Sequence, residues 1–167
     1  MPLKPRFTLA TRLAQKLLVE CRVKYPPVPL EPFLSHLKIN LLPYDFPQDK
    51  VSAVFMRIDD LLVIGVNKNH HPNRQRFSIA HEIGHYHLGH HIDFSFDPSE
   101  VADGRFDLLH GNVIQEQEAN HFASELLMPT GSLKSQFNKI RDAKELARLY
   151  DVSEQALWIR LMKLKII

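Results

Sequence analysis

Hydrophobic and polar positions change rhythm several times along this chain. From residue 8 to about residue 24, Leu9, Leu13, Leu17 and Leu18 recur at three- and four-residue intervals, the spacing of one helical face, with Thr8 as the expected N-cap. The proline-rich run Tyr25-Pro26-Pro27-Val28-Pro29 ends that pattern. Residues 30–37 predict a short second helix, with Pro32 in the first turn, where a missing N–H does no harm. Apolar runs then predict strands over 39–44, 51–58 and 61–66, and Asp59-Asp60 predicts a hairpin turn between the last two. The expected sheet is small and largely antiparallel.

Beyond the strands the period returns to helical. Pro72 suits the first position of a helix that runs to Gly89 or His90, with Gly89 as its C-terminal stop. Residues 91–113 hold no period and read as an irregular excursion, in which Phe94 and Phe96 suggest a short edge strand. Residues 114–128 are helical again and close at Pro129; 130–140 predict a further helix. At the end, 143–150 and 153–164 read as two helices joined at Asp151-Val152, with Ser153 as an N-cap, a helix-turn-helix-like arrangement. This organisation suggests a domain over 1–140 followed by a helical tail over 141–167.

Composition narrows the class. The 167 residues are 44% hydrophobic and 24% charged, as expected of a globular chain, and the formal charge of +2 gives no reason to expect a broad nucleic-acid surface. A single cysteine, Cys21, excludes an intrachain disulfide and fits a reducing, cytoplasmic setting. No stretch approaches the roughly 20 apolar residues that cross a bilayer, so no membrane partner is expected.

Histidine changes the picture most: seven of the ten fall between positions 70 and 91. Within the helix predicted from Pro72, His81-Glu82-Ile83-Gly84-His85 places two imidazoles four residues apart on one face, able to share one metal ion, with a carboxylate next to the first. A catalytic zinc site takes three protein ligands and leaves the fourth position to water. The helix over 114–128 offers Glu116, Glu118 and His121 as the third. Glu116 shares its face with Ala119, Asn120, Ala123 and Leu127, small enough to lie close against Gly84, and is favoured over Glu118, whose more mixed face reads as solvated surface. Asn120, one turn on, is placed to fix a metal-bound imidazole. His87 and His91 read as an exposed pair, His70 and His71 as loop residues, and Arg74 and Arg76 as a solvated helix face.

Taken together, Arg-Phe-Ser-Ile-Ala-His-Glu-Ile-Gly-His at 76–85 and Glu-x-x-Ala-Asn-x-Phe-Ala-x-Glu-Leu-Leu-Met-Pro at 116–129, about thirty residues apart, resemble the ImmA/IrrE family of metallopeptidases. The resemblance spans roughly residues 8–165. It implies an α+β, zincin-like fold with His81, His85 and Glu116 as ligands of one Zn2+ ion. It also implies a protein substrate, since some members cleave helix-turn-helix transcriptional repressors of phage, mobile-element or stress-response genes. In the expected reaction zinc lowers the pKa of a bound water and Glu82 acts as general base and then acid. His110, His121 and Tyr86 are the candidates for stabilising the oxyanion. The competing expectation is a regulatory, protein- or DNA-binding module with a structural or vestigial metal site, in which residues 143–164 would meet DNA through Gln155, Arg160, Lys163 and Lys165.

Overall fold

The computed structural model of the chain describes residues 4–24, 26–46, 51–90 and 113–167. Among them are seven helices and three strands. In chain order they are α1 (Phe7–Glu20), α2 (Glu31–Leu37), β1 (Ile39–Tyr44), β2 (Ala53–Ile58), β3 (Leu61–Asn67), α3 (Pro72–His87), α4 (Val113–Leu127), α5 (Thr130–Ile140), α6 (Ala143–Tyr150) and α7 (Glu154–Lys163). The architecture is α+β. The expected irregular excursion, apart from Val113 at the start of α4, and its Phe94/Phe96 strand lie outside the described residues, as does His91.

The sheet corrects one expectation. Its order is β1-β3-β2, and β1 runs parallel to the central strand, from Ile39 opposite Leu62 to Tyr44 opposite Asn67. Only β2 and β3 form the antiparallel hairpin, turning tightly at Asp59-Asp60 with Ile58 opposite Leu61. The continuous apolar run of β3, buried from Val63 to Asn67, is the mark of a central strand. β1 exposes all but Ile39, as an edge strand can.

Helix α1 starts one residue before the expected cap: Arg6 takes the N-cap place, with no side-chain bond to the helix. Its buried face is Ala10, Ala14, Leu17 and Leu18, one position around from the leucine stripe, with Leu9 and Leu13 only partly covered. Two alanines on that face allow close approach to α4. The packing of α4 is what the pattern of polar residues concealed. It lies against α3 on one side and α1 on the other, and so buries two faces. Ala119 and Ala123 are covered, and so are Glu118, Phe122 and Glu125. A row of polar contacts joins α1 to the second face, from Arg6 to Glu118, Thr11 to His121 and Gln15 to Glu125. The two helices therefore run parallel.

The last two helices join the same buried cluster through Leu146, Ala147, Tyr150, Leu157 and Leu161. Asp142 caps α6 by accepting from the Glu145 amide at 2.8 Å, and Ser153, the expected cap of α7, accepts from the Ala156 amide at 3.1 Å. Arg160, which the DNA-binding alternative would need at the surface, is instead buried against Glu125, Thr130 and the Met128 carbonyl. Arg76, expected on a solvated face, donates to the Val28 and Asp151 carbonyls and pairs with the Asp151 carboxylate.

Candidate metal centre

Two helices build the centre. Pro72 opens α3, and the His71 ring caps it by accepting from the Asn73 amide. The helix ends in a Schellman turn: Gly89, at φ +68°, donates to Tyr86 O, and His90 N–H reaches back to His85 O. Glycine is favoured here because an L side chain is strained at positive φ. In mid-helix, Gly84 lets α4 close in. A Cβ added there would stand 3.1 Å from Phe122 Cδ1 and 3.2 Å from both Ala119 O and Phe122 Cβ. The close face is thus Ala119 with Phe122.

That approach brings Glu116 across from α3. Its Oε2 lies 3.2 Å from His81 Nε2 and its Oε1 3.1 Å from His85 Nε2, while the two ring nitrogens are 2.9 Å apart. Among the described residues these three side chains are the group whose donor atoms converge, all within 4.8 Å. A tetrahedral zinc with bonds of about 2.0–2.1 Å has neighbouring donors about 3.3 Å apart. The donor set and its spacing therefore fit such an ion. His81 Nδ1 is 3.0 Å from Asn120 Oδ1, the contact expected of that asparagine.

The electrostatics follow from this crowding. Hydrogen bonds from His81 and His85 hold the Glu116 carboxyl far below the usual range, against the opposing effect of burial. Burial alone would lower the His81 pKa, but the Glu116 and Glu82 carboxylates outweigh it and raise it. Glu82 stands next to the cluster, half-buried, with a hydrogen bond from the Phe55 backbone amide of β2. Burial raises its pKa, the two imidazoles pull it down, and Glu116 adds to the rise. A carboxyl held above its ordinary value is suited to exchange protons near neutrality.

The remaining candidates fall in different places. His121 turns toward α1, 2.8 Å from Thr11 Oγ1 and against the Phe7 ring. Tyr86 is exposed and stacks on Phe55, ring centroids 5.2 Å apart. His110 lies outside the described residues. His87 is half-buried against Phe122, which lowers its pKa by desolvation, and is not the exposed residue expected. Glu118 is the plainest reversal. Read as solvated surface, it is 1% exposed and bound by Arg6 and by His90. The Arg6 hydrogen bonds draw its pKa down to about 2 against the cost of burial. Neither Arg6 nor His90 stood out in the sequence. A histidine directly after a helix-terminating glycine was the one available signal, because the turn folds that residue back on the last helical turn.

The fold and the cluster define a class: an α+β domain in which two packed helices present two histidines and a glutamate able to hold one metal ion. The chain belongs to the peptidase family described as the IrrE N-terminal-like domain, whose sequence model matches residues 34–162. Its fold is similar to that of a solved Mycobacterium tuberculosis transcriptional regulator, with a TM-score of 0.69 at 18% identity. That likeness covers 92% of this chain but 46% of the regulator, so the chain spans about half its length. No curated protein matches the chain significantly.

Proposed function

We propose that the protein is a zinc-dependent endopeptidase of zincin-like architecture. The observation that carries this reading is the convergence of His81 Nε2, His85 Nε2 and both Glu116 oxygens beside a raised-pKa carboxyl at Glu82. His81, His85 and Glu116 would hold the ion, and zinc bound there supplies Lewis acidity that activates water at neutral pH. Glu82 takes the proton of the attacking water on its carboxylate and hands it to the departing amine. Asn120 holds the His81 ring by accepting at Oδ1. For the oxyanion we retain Tyr86, on the β2 side of α3 one turn after Glu82, and His110, since His121 is engaged by α1.

The substrate we infer is an extended segment of a protein. β2 is an outer strand of the sheet. The Asn67 amide bonds Ser52 O, so in the alternating antiparallel ladder Ala53, Phe55 and Arg57 turn their backbone groups away from β3. The Phe55 amide is already turned to Glu82. A peptide added along this edge would carry its carbonyls past Glu82. A helix-turn-helix repressor is the substrate that the family resemblance favours.

Glu82→Gln tests the reading. The variant should keep its fold and bind as much zinc as wild type, while peptide cleavage falls by about 10²–10⁴-fold. New N-termini would be followed by mass spectrometry in a repressor encoded beside this gene and in a panel of unfolded proteins. A zinc-loaded wild type that cuts none of them would sink the proposal. The second reading, a regulatory DNA-binding module, draws on the α6–turn–α7 arrangement and on the regulator of similar fold. The burial of Arg160 removes one of its cations, and a salt-dependent gel shift would test it.

A further inference from the structure

Behind His85 lies a second chain of polar groups that includes no ligand beyond His85 itself. His85 Nδ1 is 2.9 Å from His90 Nδ1, and His90 Nε2 is 2.9 Å from Glu118 Oε2. Arg6 closes the chain on Glu118: its backbone N–H reaches Oε1 at 2.6 Å and its Nη2 reaches Oε2 at 2.7 Å, with Nε at 3.0 and 3.1 Å from the two oxygens. His90 and Glu118 are buried. The groups come from three segments, ahead of α1, after α3 and within α4.

Donors and acceptors along this chain fit together in one way. A guanidinium offers only donors and an ionised carboxylate only acceptors. The proton between His90 and Glu118 therefore sits on His90 Nε2. Arg6 already balances the charge of Glu118, so a further cation in this buried spot would stand uncompensated. His90 is neutral, and its Nδ1 is a bare acceptor. The proton between the two rings then belongs to His85 Nδ1, and His85 Nε2 is left with its lone pair directed at Glu116 and His81.

We propose that Arg6, Glu118 and His90 form a positioning relay that fixes His85 as the Nδ1–H tautomer and holds its ring plane, so that Nε2 is ready to bind a metal. Asn120 Oδ1 sets His81 in the same sense from a separate contact. The two metal-facing imidazoles are thus preset independently, one by an amide and one by a buried carboxylate, itself held by Arg6, acting through a second histidine. The relay rests on the reading of His85 as a metal ligand, so its first measurement is made without metal.

Long-range proton–nitrogen NMR of metal-free, ¹⁵N-histidine-labelled protein at mildly alkaline pH reads each tautomer directly. Wild type is expected to show His85 as Nδ1–H, and an Nε2–H pattern there overturns the proposal with no variant needed. His90→Phe should cut the relay in the middle: it removes the acceptor of the His85 Nδ1–H and leaves Arg6 paired with Glu118. The expected result is a changed His85 pattern, an unchanged His81 pattern and zinc affinity lower by about 10- to 100-fold in chelator competition. A variant with the wild-type His85 pattern and zinc affinity within about twofold of wild type refutes the relay. So does one in which both rings change together, the mark of a merely structural role. Wild type that shows the Nδ1–H pattern yet takes up no zinc supports the relay and removes the metal-site reading instead.

Discussion

Asn120 and Glu118 stand two positions apart on α4 and serve opposite sides of the same cluster. Asn120 meets His81 directly at 3.0 Å, whereas Glu118 reaches His85 only through His90. Replacing Asn120 with Ala leaves the His81 Nδ1–H without its acceptor and frees the ring to rotate. Zinc affinity should fall by about tenfold with little change in unfolding temperature, as read by chelator competition and a thermal melt. Unchanged affinity would show that the contact does not orient the ring. At this scale the sequence is read through rules of spacing. The four-residue interval paired His81 with His85, and the shared face of Ala119, Asn120 and Ala123 favoured Glu116 over Glu118. The same rule misplaced Glu118. Helical spacing tells which residues share a face, but not how many neighbours a helix has, and α4 has one on each side.

At the scale of elements, the site depends on how closely α3 and α4 approach. Gly84→Ala gains about 1 kcal/mol of helix propensity. It also sets a methyl 3.2 Å from a backbone carbonyl and 3.1–3.2 Å from the fully buried Phe122. Overpacking of this kind costs about 1–3 kcal/mol. A carbonyl within a helix cannot swing aside, so the clash should win. We expect a net loss of about 1 kcal/mol in urea unfolding, with zinc affinity lowered as Glu116 moves back. A stabilised variant with full affinity would mean that the helices have room to spare. The parallel pairing of β1 with β3 was not legible for a related reason. Hydrophobic runs give each strand's length and burial, whereas strand order follows from long-range packing. The hairpin at Asp59-Asp60 was legible because its pairing is local.

For the molecule as a whole, the C-terminal helices are fastened by a charge. Arg160 is 2% exposed and bonds Glu125, which also accepts from Gln15 and Thr130, so α1, α4, α5 and α7 meet at one carboxylate. Arg160→Leu would leave Glu125 buried without its cation, a change that costs about 3–5 kcal/mol in urea unfolding. The double variant with Glu125→Leu should recover much of that loss, and a failure to recover would mean that Arg160 acts by packing. The sequence located these helices and the Ser153 cap, but not the buried partner of Arg160. Its partner lies 35 positions earlier, on a face that looked exposed.

The contact between Arg6 and Glu118 spans 112 positions. During synthesis, His81 and His85 leave the ribosome well before Glu116, and the Arg6 cap of α1 waits for the same late segment. The cluster of His81, His85 and Glu116 therefore stays incomplete for some thirty residues of elongation and closes only when α4 slots between α1 and α3. If the cluster holds an ion as proposed, the ion can be held only after that late packing step.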